Sequence, residues 1–176
     1  MKFITTELEG AFIVQPERIH DSRGFFARAY CREEFEAHGL ASNFAQCNIS
    51  FNTMHGTLRG MHYQVAPHEE AKLVRCTMGA IYDAIIDLRR SSITFLRWIG
   101  VELSATNRCM LYVPEGFAHG FLTLANGTEV FYQVSEPYKP TSERGIRWND
   151  PTFGILWPAE PSVISQKDTN YPDFLP

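Results

Sequence analysis

Arg59-Gly60-Met61-His62-Tyr63-Gln64 sets a cation, an imidazole, a phenol and a carboxamide side by side in a stretch that reads as a β-strand. Alternate side chains of a strand share a face, so His62 and Gln64 are expected on one side, Met61 and Tyr63 on the other. Taken alone, such a histidine is ordinarily a core residue with its hydrogen bonds satisfied. Lys72, His119, Tyr132 and a Lys167-Asp168 pair recur downstream in similar strand settings. Several titratable side chains directed into one cavity make a chemical site rather than packing.

Outward from this stretch the pattern is strand and turn. Residues 1–20 alternate apolar and polar, and Arg23-Gly24-Phe25-Phe26 opens another strand after the turn at His20-Asp21-Ser22. Cys31 to His38, with acid near its start and Gly39 at its end, is expected as a short surface helix. From Phe44 onward strands follow in quick succession. Ala80 to Leu88 is a long one, with Asp83 and Asp87 on one face and Tyr82, Ala84, Ile86 and Leu88 on the other. Asn107, Pro114-Glu115-Gly116 and Asn126-Gly127 mark turns. Many short strands with one helix indicate an all-β sandwich, barrel or jelly roll. No linker divides the chain, so residues 1–176 are read as one domain, and the Pro-rich residues 158–176 as a wrapping tail.

Composition excludes several classes of function. The 176 residues are 44% hydrophobic and 13% aromatic, which suits a globular chain with a sizeable core. A net charge of −4 without a basic run argues against nucleic-acid binding. Cys31, Cys47, Cys76 and Cys109 lack metal-site or disulfide-frame spacing and read as reduced thiols of a cytoplasmic protein. No signal-like apolar run and no membrane span is expected.

Pro114-Glu115-Gly116-Phe117-Ala118-His119-Gly120-Phe121 is the second informative stretch. It resembles the second motif of the cupin jelly rolls, whose histidine is often a metal ligand. The first cupin motif usually supplies His-x-His, whereas this chain has His62-Tyr63-Gln64. Two histidines and an amide make a poor transition-metal set, so a metal-free site is expected.

The ordered set of motifs is similar to that of the dTDP-4-dehydrorhamnose 3,5-epimerase family over nearly the whole chain. It comprises Arg23 to Phe26, Gln46-Cys47-Asn48-Ile49-Ser50, Leu58 to Gln64, Lys72-Leu73-Val74-Arg75, Asp87-Leu88-Arg89, Leu103 to Asn107, Pro114 to Phe121, Arg147-Trp148-Asn149-Asp150 and Ser165-Gln166-Lys167-Asp168. The resemblance implies a cupin-type jelly roll (double-stranded β-helix), a homodimer with an N-terminal strand swapped between subunits, and neither metal nor organic cofactor. It implies a nucleotide-diphosphate 4-keto-6-deoxyhexose as substrate, epimerised at carbon 3, carbon 5 or both, for deoxysugar and polysaccharide assembly. The protons at these carbons flank a carbonyl and are therefore removable. Inversion needs a base, an acid on the opposite face and a positive group at the enolate oxygen. By resemblance His62 is the base, Tyr132 the acid, Asp168 the partner that orients His62, and Lys72 the cation. His119 lies beside the sugar or diphosphate, Arg59 and Arg23 meet the diphosphate, and Tyr138 stacks on the base. Phe26, Gln46, Asn48, Glu143 and Lys167 match further substrate-contacting positions, Glu143 being equally explained by a surface salt bridge. His20, His38, His55 and His68 have no matching role and are read as surface residues.

The chain also departs from the family pattern. Arg28 stands where a glutamate usually meets the thymine. An arginine has donors only and cannot accept the thymine N3–H, whereas it can meet the N3 acceptor of cytosine. Two readings stay open: CDP as the carrier, or Arg28 turned into solvent with the base held by stacking. Cys47 replaces an acid, and Glu69-Glu70-Ala71 replaces Ala-Gln-Gly before the lysine, which leaves the sugar and the inverted carbon open. Two other functions compete: a metal-dependent cupin, such as a dioxygenase or isomerase, using His62 and His119, and a non-catalytic sugar-nucleotide-binding module.

Overall fold

The computed structural model describes residues 1–175. In chain order the elements are β1 (Lys2–Thr5), β2 (Phe12–Gln15), β3 (Ile19–Asp21), β4 (Gly24–Phe26), α1 (Arg32–Ala37), β5 (Gln46–Asn52), β6 (Thr57–Gln64) and β7 (Lys72–Met78). There follow β8 (Ala80–Asp87), β9 (Trp98–Ser104), β10 (Met110–Val113), β11 (Phe117–Thr123), β12 (Thr128–Val134), β13 (Glu143–Gly145), β14 (Val163–Ile164) and α2 (Gln166–Thr169). The expected Cys31–His38 helix is present as α1, with Cys31 and His38 as its caps. The one-turn α2 was not expected.

Two sheets face each other as an all-β jelly roll. One runs β1-β2-β10-β7-β12-β5 and the other β13-β6-β11-β8-β9, with β14 added in parallel beside β6. Alternation sends Val74, Cys76, Leu111, Val113 and Val130 of the first sheet against Ile81, Ile85, Leu103, Phe117 and Phe121 of the second. The other face of the first sheet packs Leu73, Met110 and Tyr112 on Phe35 of α1. The other face of the second packs Met61, Ala84, Ile86 and Ala118 on Ile146 and Phe153. The expected facing of Ala80 to Leu88 holds: Tyr82, Ala84, Ile86 and Leu88 share that outer cluster, while Asp83 and Asp87 are fully buried on the other side.

The core therefore fills the inter-sheet space toward one end, and polar side chains line it toward the other. The tail wraps back, as expected, pairing Val163 with Thr57 and Ile164 with Leu58 before α2. The hairpin β3–β4 forms a separate two-stranded sheet.

Candidate active site

β6 carries the feature that shapes the site. Opposite β11 its register runs His62↔His119 and then Arg59↔Phe121, so three steps on β6 match two on β11. This bulge breaks the alternation, and Arg59 and His62, an odd number of residues apart, both line one cavity. Glycine makes it possible. Gly60 has φ 139°, and a Cβ there would lie 2.5 Å from the Gly120 Cα.

That cavity has a volume of about 660 Å³ and adjoins a second of about 380 Å³. His62, Lys72 and Tyr132 line both, which places residues of β6, β7 and β12 around one space. His119, Lys167 and Asp168 open into the first cavity. Gln46, Asn48, Tyr138 and Glu143 open into the second. The site thus draws on both sheets and on the tail.

Asp168 reaches His62 across the sequence because α2 folds over β6. His62 Nε2 lies 2.8 Å from Asp168 Oδ1, and the Gly60 N–H donates to Asp168 Oδ2 at 3.3 Å. The Ser165 hydroxyl caps α2 by accepting from the Asp168 N–H at 3.0 Å. Burial would raise the Asp168 carboxyl, but His62 and the backbone donor outweigh it and hold the group below its ordinary value. It therefore stays an anion beside the imidazole. Burial pushes the Tyr132 phenol up, against the Arg59 charge that pulls it down and together with Glu70, which raises it further. That phenol remains protonated at neutral pH and is able to donate.

Lys72 pairs with Glu70 Oε1 at 3.1 Å and donates to the His62 carbonyl at 3.3 Å. His119 Nε2 lies 2.7 Å from Asp83 Oδ1, giving a second histidine–carboxylate pair on the strand beside His62. Arg59 Nε donates to Asn52 Oδ1 at 2.8 Å. At the outer cavity Glu143 accepts from Lys167 Nζ at 2.6 Å and from the Tyr138 hydroxyl at 2.8 Å, and Gln46 accepts from the Tyr138 N–H at 2.7 Å. Burial opposes ionisation of Glu143, but those two donors outweigh it and keep the carboxyl below its ordinary value.

Three expected residues do not join this arrangement within one chain. Arg23 pairs with Asp21, Phe26 is 71% exposed, and Arg28 Nη1 pairs with Glu34 at 3.0 Å. All three sit on or just after the β3–β4 hairpin, whose separate pairing carries it away from the cavities. His68 also differs from expectation: it is half-buried, with Nδ1 3.1 Å from Glu136. Gln64 takes the cavity-facing side, as expected, but is spent on structure, accepting from the Lys139 N–H at 2.5 Å and donating to the His68 carbonyl at 2.8 Å.

Sequence reasoning missed Asp83 as the partner of His119, Tyr171, whose ring meets His62 edge-on with centroids 6.0 Å apart, and Glu70. An aspartate in the apolar run Ala80 to Ile86 was the available signal for Asp83; Tyr171 carried none. Among the described residues no group of three or more His, Cys, Asp or Glu is arranged to hold a metal ion, and His62 and His119 each spend Nε2 on a separate carboxylate. No helix of the described residues is long and apolar enough to cross a membrane.

Known proteins share this architecture. The model of the dTDP-4-dehydrorhamnose 3,5-epimerase family matches residues 5–175. The dTDP-4-dehydrorhamnose 3,5-epimerase of Shigella flexneri is 43% identical over 176 residues, spanning 99% of this chain and 97% of the relative. That of Methanothermobacter thermautotrophicus is 43% identical over 173 residues, spanning 97% and 92%. The crystal structure of the Bacillus anthracis enzyme with TDP and pyrophosphate bound superposes with a TM-score of 0.94 at 42% identity, covering 98% of this chain and 99% of the other. The Legionella pneumophila enzyme, solved with dTDP-4-keto-L-rhamnose, gives a TM-score of 0.88 at 36% identity, covering 95% and 89%. A family model that matches residues 5–175, relatives 43% identical over nearly the whole chain and a shared fold make this chain a member of the dTDP-4-dehydrorhamnose 3,5-epimerase family of isomerases.

Proposed function

We propose that the chain epimerises a nucleotide-diphosphate 4-keto-6-deoxyhexose at carbon 3, carbon 5 or both, without a cofactor, in deoxysugar biosynthesis. The observation that carries this reading is that His62, backed by Asp168, and Tyr132, from the opposite sheet, open into one cavity lined also by Lys72. His62 removes the proton beside the carbonyl, and the developing imidazolium is supported by the Asp168 anion. Lys72 stabilises the enolate oxygen. Tyr132 returns a proton to the other face of the ring, and the buried, protonated phenol suits that task. In this reading Arg59 and Lys167, which line the first cavity, meet the diphosphate, His119 lies beside the sugar or diphosphate, and Tyr138, Gln46 and Asn48 of the outer cavity hold the nucleoside.

A homodimer completes the site in this reading. The exposed Arg23, Phe26 and Arg28 of the β3–β4 hairpin reach a second copy's cavity, where Arg23 meets the diphosphate. The carrier is dTDP by likeness to the relatives solved with TDP or a dTDP-sugar. Arg28 supports CDP as a second reading, because a guanidinium offers only donors to the base. The four free cysteines suit a reducing, cytoplasmic setting.

Incubation with dTDP- and CDP-4-keto-6-deoxyglucose in heavy water tests reaction and carrier together. Deuterium is expected at carbon 3, carbon 5 or both, and His62→Ala abolishes it at every labelled position. Full exchange in that variant removes His62 as the base, and clear dTDP preference removes the CDP reading.

A further inference from the structure

We propose that Glu70 is a positioning residue: it holds the Lys72 ammonium so that one N–H is left for the oxygen of the reacting carbonyl. This rests on the enolate reading given above.

The geometry is specific. Lys72 Nζ lies 3.1 Å from Glu70 Oε1 and 3.3 Å from the backbone carbonyl of His62. An ammonium has three donors: the His62 carbonyl takes one, the Glu70 carboxylate holds the charge at ion-pair distance, and at least one N–H remains for the cavities that Lys72 lines. The His62 carbonyl ties the lysine to the strand that carries the base. Glu70 ties it to the segment leading into β7. Lys72 and His62 are thereby set relative to one another without any contact between their side-chain ends.

Burial separates this pair from an ordinary surface ion pair. The side chains of Lys72 and Glu70 are 9% and 8% exposed, so water screens them little. Glu70 Oε2 is buried with no hydrogen-bond partner among the described residues. A half-satisfied buried carboxylate costs stability, and an apolar side chain would remove that cost only by leaving the buried Lys72 ammonium without its counter-charge. The benefit lies in the charge beside the lysine.

The same charge acts on the acid. Tyr132 shares both cavities with Lys72, and Glu70 opposes Arg59 in setting how readily the phenol ionises. The other charged or titratable groups along these cavities are His62, His119, Lys167, Asp168, Glu136, Glu143, Tyr63 and Tyr138. Losing the Glu70 charge leaves the Arg59 influence unopposed by it, so the phenol ionises at lower pH.

Glu70→Gln keeps an acceptor for Lys72 and drops the charge, while Glu70→Ala drops both. In heavy-water exchange kcat is expected to fall about tenfold in the Gln variant and about a hundredfold in the Ala variant, with KM within about twofold. The tyrosinate absorbance of Tyr132, isolated by subtracting the Tyr132→Phe titration, moves to lower pH in Glu70→Gln. Thermal melts confirm that the near-isosteric Gln variant is folded. An unshifted phenol in Glu70→Gln, or undiminished kcat in Glu70→Ala, overturns the assignment. Wild type that exchanges no deuterium overturns the epimerase reading and the role given to Glu70 with it, whereas wild-type exchange beside an undiminished Glu70→Ala overturns Glu70 alone.

Discussion

His62 Nε2 and Asp168 Oδ1 stand 2.8 Å apart across 106 residues of chain, and the contact exists only because the tail returns over β6. Asp168→Asn keeps the size of the side chain and removes the anion that supports a protonated imidazole. Exchange of substrate protons is expected to fall about 10²- to 10⁴-fold, with substrate binding nearly intact. The same carboxylate links stability to pH. Its folded pKa lies below the ordinary 3.8, so its contribution is complete above that value and is lost as the pH falls through the folded value. Urea unfolding at stepped acidic pH therefore shows a decline that is shallower in Asp168→Asn.

Tyr132→Phe separates removal of a proton from its return. The base, its carboxylate and Lys72 remain, so deuterium still enters from the His62 side. Delivery to the opposite face is lost, and inverted product falls about a hundredfold or more. NMR of the recovered substrate distinguishes the two: label with retained configuration is expected. Inversion at the wild-type rate removes the phenol as the acid.

Ala80 to Leu88 was legible because its side chains alternate between the outer cluster and the inner face, although both faces are buried, whereas in Arg59 to Gln64 the bulge interrupts the alternation. The residues to which proton transfer is assigned were named through family motifs rather than periodicity. Alternation alone would set Arg59 and His62 on opposite faces, and the β6 bulge that reunites them shows in the sequence only as a glycine. α2 escaped because one turn shows no helical period, although Ser165-x-x-Asp168 has the form of a capping signal. Arg23, Phe26 and Arg28 were expected at the site, yet their hairpin pairs only with itself and lines neither cavity.

Asp87 tests stability apart from chemistry. It is fully buried and accepts from the Arg89 guanidinium at 2.8 and 2.9 Å, from the Ser92 hydroxyl at 2.5 Å and from the Thr94 hydroxyl at 2.6 Å. Burial alone would raise this carboxyl, but those donors hold it below its ordinary value. Asp87→Ala removes the carboxylate paired with Arg89 and the buried acceptor shared by the Ser92 and Thr94 hydroxyls, and is expected to cost about 3 kcal/mol in urea unfolding. Neither cavity is lined by Asp87, so the ratio of exchange at carbon 3 to carbon 5 should not change.

Gly60→Ala should damage both fold and site. The residue has φ 139°, a region that strains any side chain by about 1–3 kcal/mol. The added methyl would also press on the Gly120 backbone at 2.5 Å, where no flexible side chain is present to yield. β6 and β11 must separate or the bulge must shift, and a shift by one residue turns His62 away from the cavity that Tyr132 lines. The expected outcome is a loss of at least about 2 kcal/mol in unfolding together with loss of exchange even where the variant is folded. Gly127→Ala is the control, since it also has positive φ but nothing lies within 4 Å of its added Cβ. It should show strain of similar sign with exchange retained, and equal loss of exchange in both variants would mean that the bulge does not hold the catalytic geometry.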